Sequence, residues 1–353
     1  MNAPPTNVRR QIVQLLRRNG PATGARLARK LRVSRQAVHK HLKSLVTESA
    51  VVRTGATRGA RFEIRTAGTR PKPAKEFRRS YRLAGLEEGE VFRTISQALS
   101  LERMLSRPAL NIVHFAFTEM LNNAIDHSRS KTCTVAFSLE PYEVRFFVRD
   151  RGIGIFHSVA SRFHLGSEEA AVGELTKGKI TTMKERHSGE GIFFTSKAAD
   201  LLSFRSHRLS MTFDALRKDT FFREGRFFEG TEVSFTLRRN SKRQLERVFS
   251  EFAPEEFDFK FERTRVAVHL FGSEFVSRSE ARRLLARLDR FREIELDFRG
   301  VRILGQGFAD ELFRVFPADH PAIRIRLVNL RTKLAAVVRH VVDDDSWKRL
   351  TIG

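Results

Sequence analysis

The segment FTEMLNNAIDHS at residues 117–128 brings together side chains that could do chemistry. At 3.6 residues per turn, Glu119, Asn123 and Asp126 share one stripe of a helix, because positions i, i+4 and i+7 stack. Asn123 offers a hard side-chain oxygen of the kind that takes Mg²⁺ while leaving the ion its waters and a share of phosphate oxygens. Glu119, one turn earlier, can orient or deprotonate a water or a hydroxyl. Two further segments follow, DRGIGI at 150–155 and HSGEGIF at 187–193. Asp150 comes after an apolar strand pattern and opens a Gly-x-Gly turn. A carboxylate there can accept a hydrogen bond from an exocyclic amine such as that of adenine, and Gly152 and Gly154 let the backbone approach a flat base. Gly189 and Gly191 then open a helical pattern, IFFTSKAAD. A glycine turn at a helix N-terminus presents free N–H groups and a positive dipole end to phosphate.

These segments together resemble the ATP-binding domain shared by DNA gyrase, the heat-shock chaperones, histidine kinases and the mismatch-repair protein MutL. The resemblance implies an N-box from Glu119 to Asn123, a first glycine box Asp150-x-Gly152-x-Gly154 and a second Gly189-x-Gly191. It also implies that Thr231, in the Gly230-Thr231 pair ahead of EVSFTL, helps hold adenine through its hydroxyl. ATP and Mg²⁺ are the implied cofactors, with Asn123 as the Mg²⁺ ligand and Glu119 as candidate base. The spacing Glu119-x-x-x-Asn123-x-x-x-His127 is closer to the serine kinases that act as anti-sigma factors than to sensor kinases, and it adds His127 to the nucleotide-binding candidates. Residues 156–186 would form a lid over the phosphates. Lys177 is the cation offered there to the terminal phosphates, beside Lys179 and Lys184.

Around these residues the pattern supplies a scaffold. A helix LEEGEVFRTISQAL leads into the N-box helix, followed by strands TCTVAFSL and EVRFFVRD. The domain should run from about residue 85 to 240. A sensor histidine kinase needs a phosphoacceptor histidine on a dimerising helix before the ATP domain. Residues 66–113 contain no histidine, and His114 begins the N-box helix in an apolar stretch, so a two-component phosphorelay is disfavoured. The long transducer domain of gyrase or MutL is absent too.

The net charge of +24 is unevenly spread. Residues 1–80 hold 20 Lys+Arg against 3 Asp+Glu, whereas the other 273 hold 45 against 38. Such concentration points to a polyanion partner for the first segment, most simply double-stranded DNA. Within it, NVRRQIVQLLRR has the period of an amphipathic helix, TGARLARKL forms a second, and Ser34 is a suitable N-cap for a third, RQAVHKHLKSLV. VVRTGATRGARFEIR then reads as two strands around a glycine-rich, arginine-bearing loop. The order resembles the winged helix-turn-helix domain of bacterial transcription regulators. The third helix should bury Ala37, Val38, Leu42 and Leu45 and show Arg35, Gln36, His39, Lys40 and Lys43. Arg35 and Gln36 can reach base edges in the major groove, while Lys40 and Lys43 suit phosphates. Arg53, Arg58 and Arg61 on the wing could reach the adjacent backbone or minor groove.

From about residue 264 the chain alternates RVAVHLFGSEF, SRSEARRLLARLDRF, EIELDFRGV, GFADELFRVF, IRIRLVNL and TKLAAVVRHVV, a β-α-β-α-β-α order with Ser279 capping the first helix. The segment IELDFRGVRILGQGFADELF resembles the STAS-type anti-sigma-antagonist fold. The loop that typically carries a phosphorylated serine there reads Leu304-Gly305-Gln306-Gly307-Phe308 here, with no hydroxyl.

The chain therefore reads as multidomain. A winged helix (α+β) spans 1–66, a linker 67–84, an α/β-sandwich ATPase of histidine-kinase-like type 85–240, a second linker 241–263, and a small α/β STAS-like domain 264–353. An apolar fraction of 41% is enough for real cores. No run of about 18 apolar residues and no signal-peptide pattern are seen, and Cys133 is the single cysteine, so a cytoplasmic protein without intrachain disulfides is expected. The main functional expectation is an ATP-binding, DNA-binding transcriptional regulator whose nucleotide state modulates DNA or partner binding, with the C-terminal domain docking on a partner protein or on the ATPase itself. The alternative is an anti-sigma-type serine/threonine protein kinase acting on a separate protein. A third is a scaffold in which ATP is purely structural. A homodimer is expected from the way winged helices read paired half-sites.

Overall fold

A computed structural model describes residues 8–47, 51–54, 59–64, 75–179, 190–215, 217–258, 260–342 and 351–352. Among them no helix is long and apolar enough to cross a membrane.

The N-terminal domain runs α1 (Val8–Asn19), β1 (Ala22–Thr23), α2 (Gly24–Leu31), α3 (Arg35–Thr47), β2 (Val51–Thr54) and β3 (Arg61–Ile64). Thr23 caps α2 by accepting the Arg26 N–H at 3.2 Å, and Ser34 caps α3 by accepting that of Ala37 at 3.1 Å. Arg32, at φ 54°, makes the left-handed turn between the two helices. Ile12, Leu16, Leu27, Val38, Leu42 and Leu45 form one core with Val51 and Phe62. The sheet has three strands, not two. β1, two residues long and bounded by no apolar alternation, pairs antiparallel with β3, and β3 with β2.

The central domain starts with β4 (Lys75–Arg82), α4 (Glu88–Leu99), α5 (Leu101–Met104) and α6 (Arg107–His127). β5 (Thr132–Leu139), β6 (Glu143–Asp150), α7 (Ile155–Arg162), α8 (Glu168–Lys177) and α9 (Gly191–Ala198) follow. β7 (Leu201–Ser206), β8 (Leu209–Asp214), β9 (Asp219–Glu224) and β10 (Thr231–Arg238) complete a seven-stranded sheet in the order β4-β5-β6-β10-β7-β8-β9. α6 is the helix that carries the N-box. Ser106 caps it by accepting the Ala109 N–H at 3.3 Å, and Pro108 sits in its first turn, where a missing N–H costs nothing. Its buried stripe, Ile112, Val113, Ala116, Phe117, Met120, Leu121 and Ala124, covers the inward rows of the sheet. Phe117 meets Phe137 and Phe146 edge-on at 5.2 and 5.6 Å, and Phe146 stacks on Phe235 at 4.7 Å. The opposite stripe of α6 is thereby turned away from the core and free to serve a site.

The C-terminal domain begins earlier than residue 264. α10 (Leu245–Phe252) occupies the stretch assigned to a linker, as β4 occupies part of 67–84. The expected alternation follows: β11 (Arg263–Ala267), β12 (Glu274–Phe275), α11 (Arg278–Leu285), β13 (Glu293–Asp297), β14 (Ile303–Leu304), then α12 (Gln306–Asp310). A π turn at Glu311–Val315, α13 (Phe316–Asp319), β15 (Arg324–Val328), α14 (Thr332–Val341) and β16 (Thr351–Ile352) complete the domain. β11, β13, β15 and β16 form a parallel sheet. Its Val266, Ile294, Leu296, Ile325 and Leu327 are buried with Ala281, Leu284, Phe308, Leu312, Leu334 and Val338 of the helices, so the helices cover one face. Ser277, not Ser279, caps α11. Its hydroxyl accepts the Glu280 N–H at 3.3 Å while the Glu280 carboxylate accepts the Ser277 N–H at 2.8 Å, a reciprocal box that only the three-residue spacing permits.

Phe117 lies where helix and sheet are locked together. Phe117→Ala should lower unfolding stability by roughly 3–5 kcal/mol through lost burial and a cavity, a loss that urea titration would measure.

Candidate functional site

Glu119, Asn123 and His127 follow one another at one-turn intervals along α6, and all three are half-buried. α9 starts against the first of them. A Cβ on Gly191 would stand 1.8 Å from Glu119 Oε2, so only glycine lets the helix N-terminus close on that carboxylate. Gly189 lies outside the described residues.

The turn after β6 is built around Asp150, which is 5% exposed. Its Oδ1 accepts the N–H of Gly152 at 2.8 Å and that of Thr231 at 3.3 Å, which ties the glycine turn to the start of β10. Its Oδ2 makes no hydrogen bond to another residue among those described. Burial pushes the Asp150 carboxyl up from its ordinary value, and the N–H donors of Gly152 and Thr231 oppose this. Thr231, also buried, accepts the Ile155 N–H on its hydroxyl at 2.9 Å. Gly152 has no room for a side chain, since its Cβ would fall 1.8 Å from Ser128 O. Gly154, at φ +79°, lies where a Cβ would meet Ser206 Oγ at 2.5 Å and His207 Nε2 at 2.9 Å. Asp150, Gly152, Gly154 and Thr231 are thus one hydrogen-bonded unit at the ends of β6 and β10.

Several contributors to this unit had no local signal in the sequence. Ser128 hydrogen-bonds back to Ala124 O at 2.5 Å and its own carbonyl accepts the Ile153 N–H at 2.8 Å. His207 Nδ1 lies 2.7 Å from Glu168 Oε1, which binds the β7–β8 turn to the first residue of α8. The hydroxyl of Ser206 is buried beside Gly154 and has no partner.

Lys177 is a correction. Expected as a solvent-facing cation over the phosphates, it is 1% exposed and faces the C-terminal domain. Its ammonium donates to Glu174 at 2.8 Å and to Ala286 O at 2.9 Å, and lies 4.9 Å from the centre of the Phe271 ring. Glu174 is shared with Arg287 at 2.6 Å. Thr264 donates its hydroxyl to Lys177 O at 2.5 Å, and Lys179 donates to Arg290 O at 2.8 Å. Gly173 and Gly178 complete the fit, since a Cβ on either would come within 2.7 Å of Phe271 or Phe261. Residues 155–162 and 168–177 of the expected lid are therefore helices, the second clamped to the C-terminal domain; Lys184 lies outside the described residues.

In the N-terminal domain, Arg35, Gln36, His39, Lys40 and Lys43 are all exposed on α3 while Val38, Leu42 and Leu45 are buried and Ala37 half-buried. Arg61 is exposed on β3 and Arg53 half-buried on β2; Arg58 lies outside the described residues. This arrangement leaves one cationic helix face open.

Family models agree with the three parts. Residues 8–59 match an HTH domain, residues 84–213 a histidine kinase-like ATPase domain, and residues 280–333 a STAS-like domain of unknown function. The chain therefore carries a helix-turn-helix domain, a histidine-kinase-like ATPase domain and a STAS-like domain in that order. The first is a DNA-binding class of domain and the second an ATP-binding one. No curated protein matches the chain.

The buried Lys177–Glu174–Arg287 cluster can be tested directly. Glu174→Ala leaves two buried cations without their carboxylate and should destabilise the protein by roughly 3–5 kcal/mol. Burial also pulls the Lys177 ammonium down from 10.5 to about 8. The folded chain then releases that proton before the unfolded one, so stability should rise as pH climbs from about 8 towards 10.5. Part of that rise should vanish in Lys177→Met, as read from thermal melts across this pH range.

Proposed function

We propose that this protein is an ATP-dependent transcriptional regulator, in which the nucleotide state of the central domain sets the affinity of the N-terminal helix-turn-helix domain for DNA or of the C-terminal domain for a partner. The observation that carries the proposal is the clamp on α8. The segment between the two glycine turns is held by Lys177, Thr264, Glu174 and Arg287, and α9, which starts at Gly191, sends Phe193 and Phe194 into the core of the C-terminal domain. Whatever binds at the N-terminus of α9 is therefore mechanically continuous with the C-terminal domain.

The residues fit Mg²⁺-ATP. The free Oδ2 of Asp150 would accept from the exocyclic amine of adenine, with the Thr231 hydroxyl and His127 as further contacts. Gly152 and Gly154 leave room for the base, and the N–H groups at Gly191, with Gly189 ahead of them, would meet phosphate. Asn123 would hold the Mg²⁺, which neutralises phosphate charge when bound, and Glu119 would position a water. The exposed α3 face, Arg35, Gln36, His39, Lys40 and Lys43, with Arg53, Arg58 and Arg61 on the wing, would hold double-stranded DNA as a homodimer over two half-sites in the cytoplasm. ATP shifts DNA affinity only by as much as it distinguishes two arrangements of the chain; a tenfold change requires about 1.4 kcal/mol.

A second reading, a serine/threonine kinase acting on a separate protein, draws on the Glu119 carboxylate lying against the N-terminus of α9, where it could act as base on a hydroxyl near the terminal phosphate.

Titration with a fluorescent ATP analogue should show Mg²⁺-dependent binding that Asn123→Ala abolishes. Asp150→Asn keeps the acceptor but loses the charge, and should weaken ATP by 10- to 100-fold, about 1.5–3 kcal/mol for a hydrogen bond to a charged group. DNA affinity measured with ATP, with ADP and without nucleotide should differ; equal values would sink the regulatory proposal. Transfer of labelled phosphate to a partner protein would establish the kinase reading instead.

A further inference from the structure

The C-terminal sheet carries helices on one face only. The other face looks across a cleft of about 480 Å³ towards α9, α10 and the β8–β9 turn. None of the nucleotide-site residues lines this cleft. Its volume is that of a small-molecule site, and it opens at the carboxyl ends of parallel strands, where ligand crevices of open α/β sheets form.

The lining is charged in two separate groups. Register places Arg265, Glu295 and Arg326 side by side in one row across the sheet, and Ala267, Asp297 and Val328 in the next, about 6.5 Å further along the strands. Arg265 pairs closely with Glu295, and Arg326 approaches it at 3.7 Å. Lys197 of α9 faces this first row. Its ammonium sits 4.8 and 5.6 Å from the ring centres of Phe193 and Phe252, with no acceptor in hydrogen-bond reach among the described residues. Burial, then the charge of Arg265, pulls it down to about 8, with Glu251 and Glu295 opposing. Three cations thus stand against two carboxylates at this end.

The second row has the opposite sign. Asp297 accepts from the Arg299 N–H at 2.9 Å and from Asn329 Nδ2 at 2.8 Å, and Asp214 and Asp219 join it from the β8–β9 turn. Arg299 is turned aside to donate to Lys218 O at 2.7 Å. Three carboxylates here stand against Lys218 and Arg299. A cleft with an excess cation at one end and an excess anion at the other repels phosphates and bare cations alike.

We propose that this cleft binds a small zwitterion whose carboxylate and ammonium are about 6–7 Å apart, the span between the two rows, as in an ω-amino acid or a dipeptide. The carboxylate would be held by Lys197, supplying the acceptor it lacks, with Arg265 and Arg326 beside it. The ammonium would lie against Asp297 and Asp219.

Calorimetric titration of the full chain with 5-aminovalerate and with diglycine tests this, with acetate and butylamine as single-charge controls. A zwitterion should bind, the controls should not, and affinity should fall at least tenfold in Lys197→Met. Arg326→Gln, on the rim of the cleft, serves as a second variant if Lys197→Met fails to fold. Absence of binding by both zwitterions at millimolar concentration, equal binding by acetate, or binding unchanged in a folded variant would each overturn the proposal. The outcome does not depend on whether ATP alters DNA affinity.

Discussion

The described half of the molecule beyond the DNA-binding domain depends on one apolar seam. Phe193 and Phe194 of α9 and Val248 and Phe252 of α10 lie in the same buried cluster as Val266, Leu296 and Leu327 of the C-terminal sheet. Phe193 meets Phe252 at 4.9 Å and Phe261 at 4.6 Å; Phe194 meets Phe249 at 4.4 Å. Aromatic side chains bury more area than any others, so a seam with this many rings is not a surface that opens and closes with thermal motion. α9 is therefore fixed at its C-terminal end by another domain, while its N-terminal glycine faces the carboxylate of Glu119.

That geometry places polar machinery on an apolar foundation. α6 spends one stripe on the sheet and has the other for Glu119, Asn123 and His127. β6 and β10 end side by side, and the Asp150 carboxylate joins them through two backbone N–H groups while keeping one oxygen back. Retaining a buried, partly satisfied carboxylate works against stability, as its raised pKa shows, and such an expense is typical of positions kept for a ligand.

Much of this was legible from residues alone, and the reasons are local. Glu119, Asn123, Asp150 and the glycines announce themselves through spacing within one helix or one turn, and α3 shows its cationic face through simple periodicity. What escaped depended on distant partners. β4, KEFRRSYR, is an exposed edge strand without apolar alternation and resembles a linker until β5 is set beside it. Lys177 reads as a solvent-facing cation because its acceptors, the carbonyls of Arg283 and Ala286, come from more than a hundred residues away. α10 fell in an assumed linker because its apolar face is matched only by the C-terminal core. Ser277 and Ser279 differ by two positions, and the choice between them is made by where Glu280 can reach back.

Cys133 sits on β5 with its side chain in the core, 2% exposed. Burial, and secondarily the charge of Asp150, pushes its thiol up to about 12, so at neutral pH almost none of it is thiolate, the form that reacts. The only sulfhydryl in the chain is chemically silent in the folded state. A cysteine introduced on the surface would be the sole position to take a maleimide dye or a spin label, so distances within the native chain can be followed spectroscopically without first removing a natural residue.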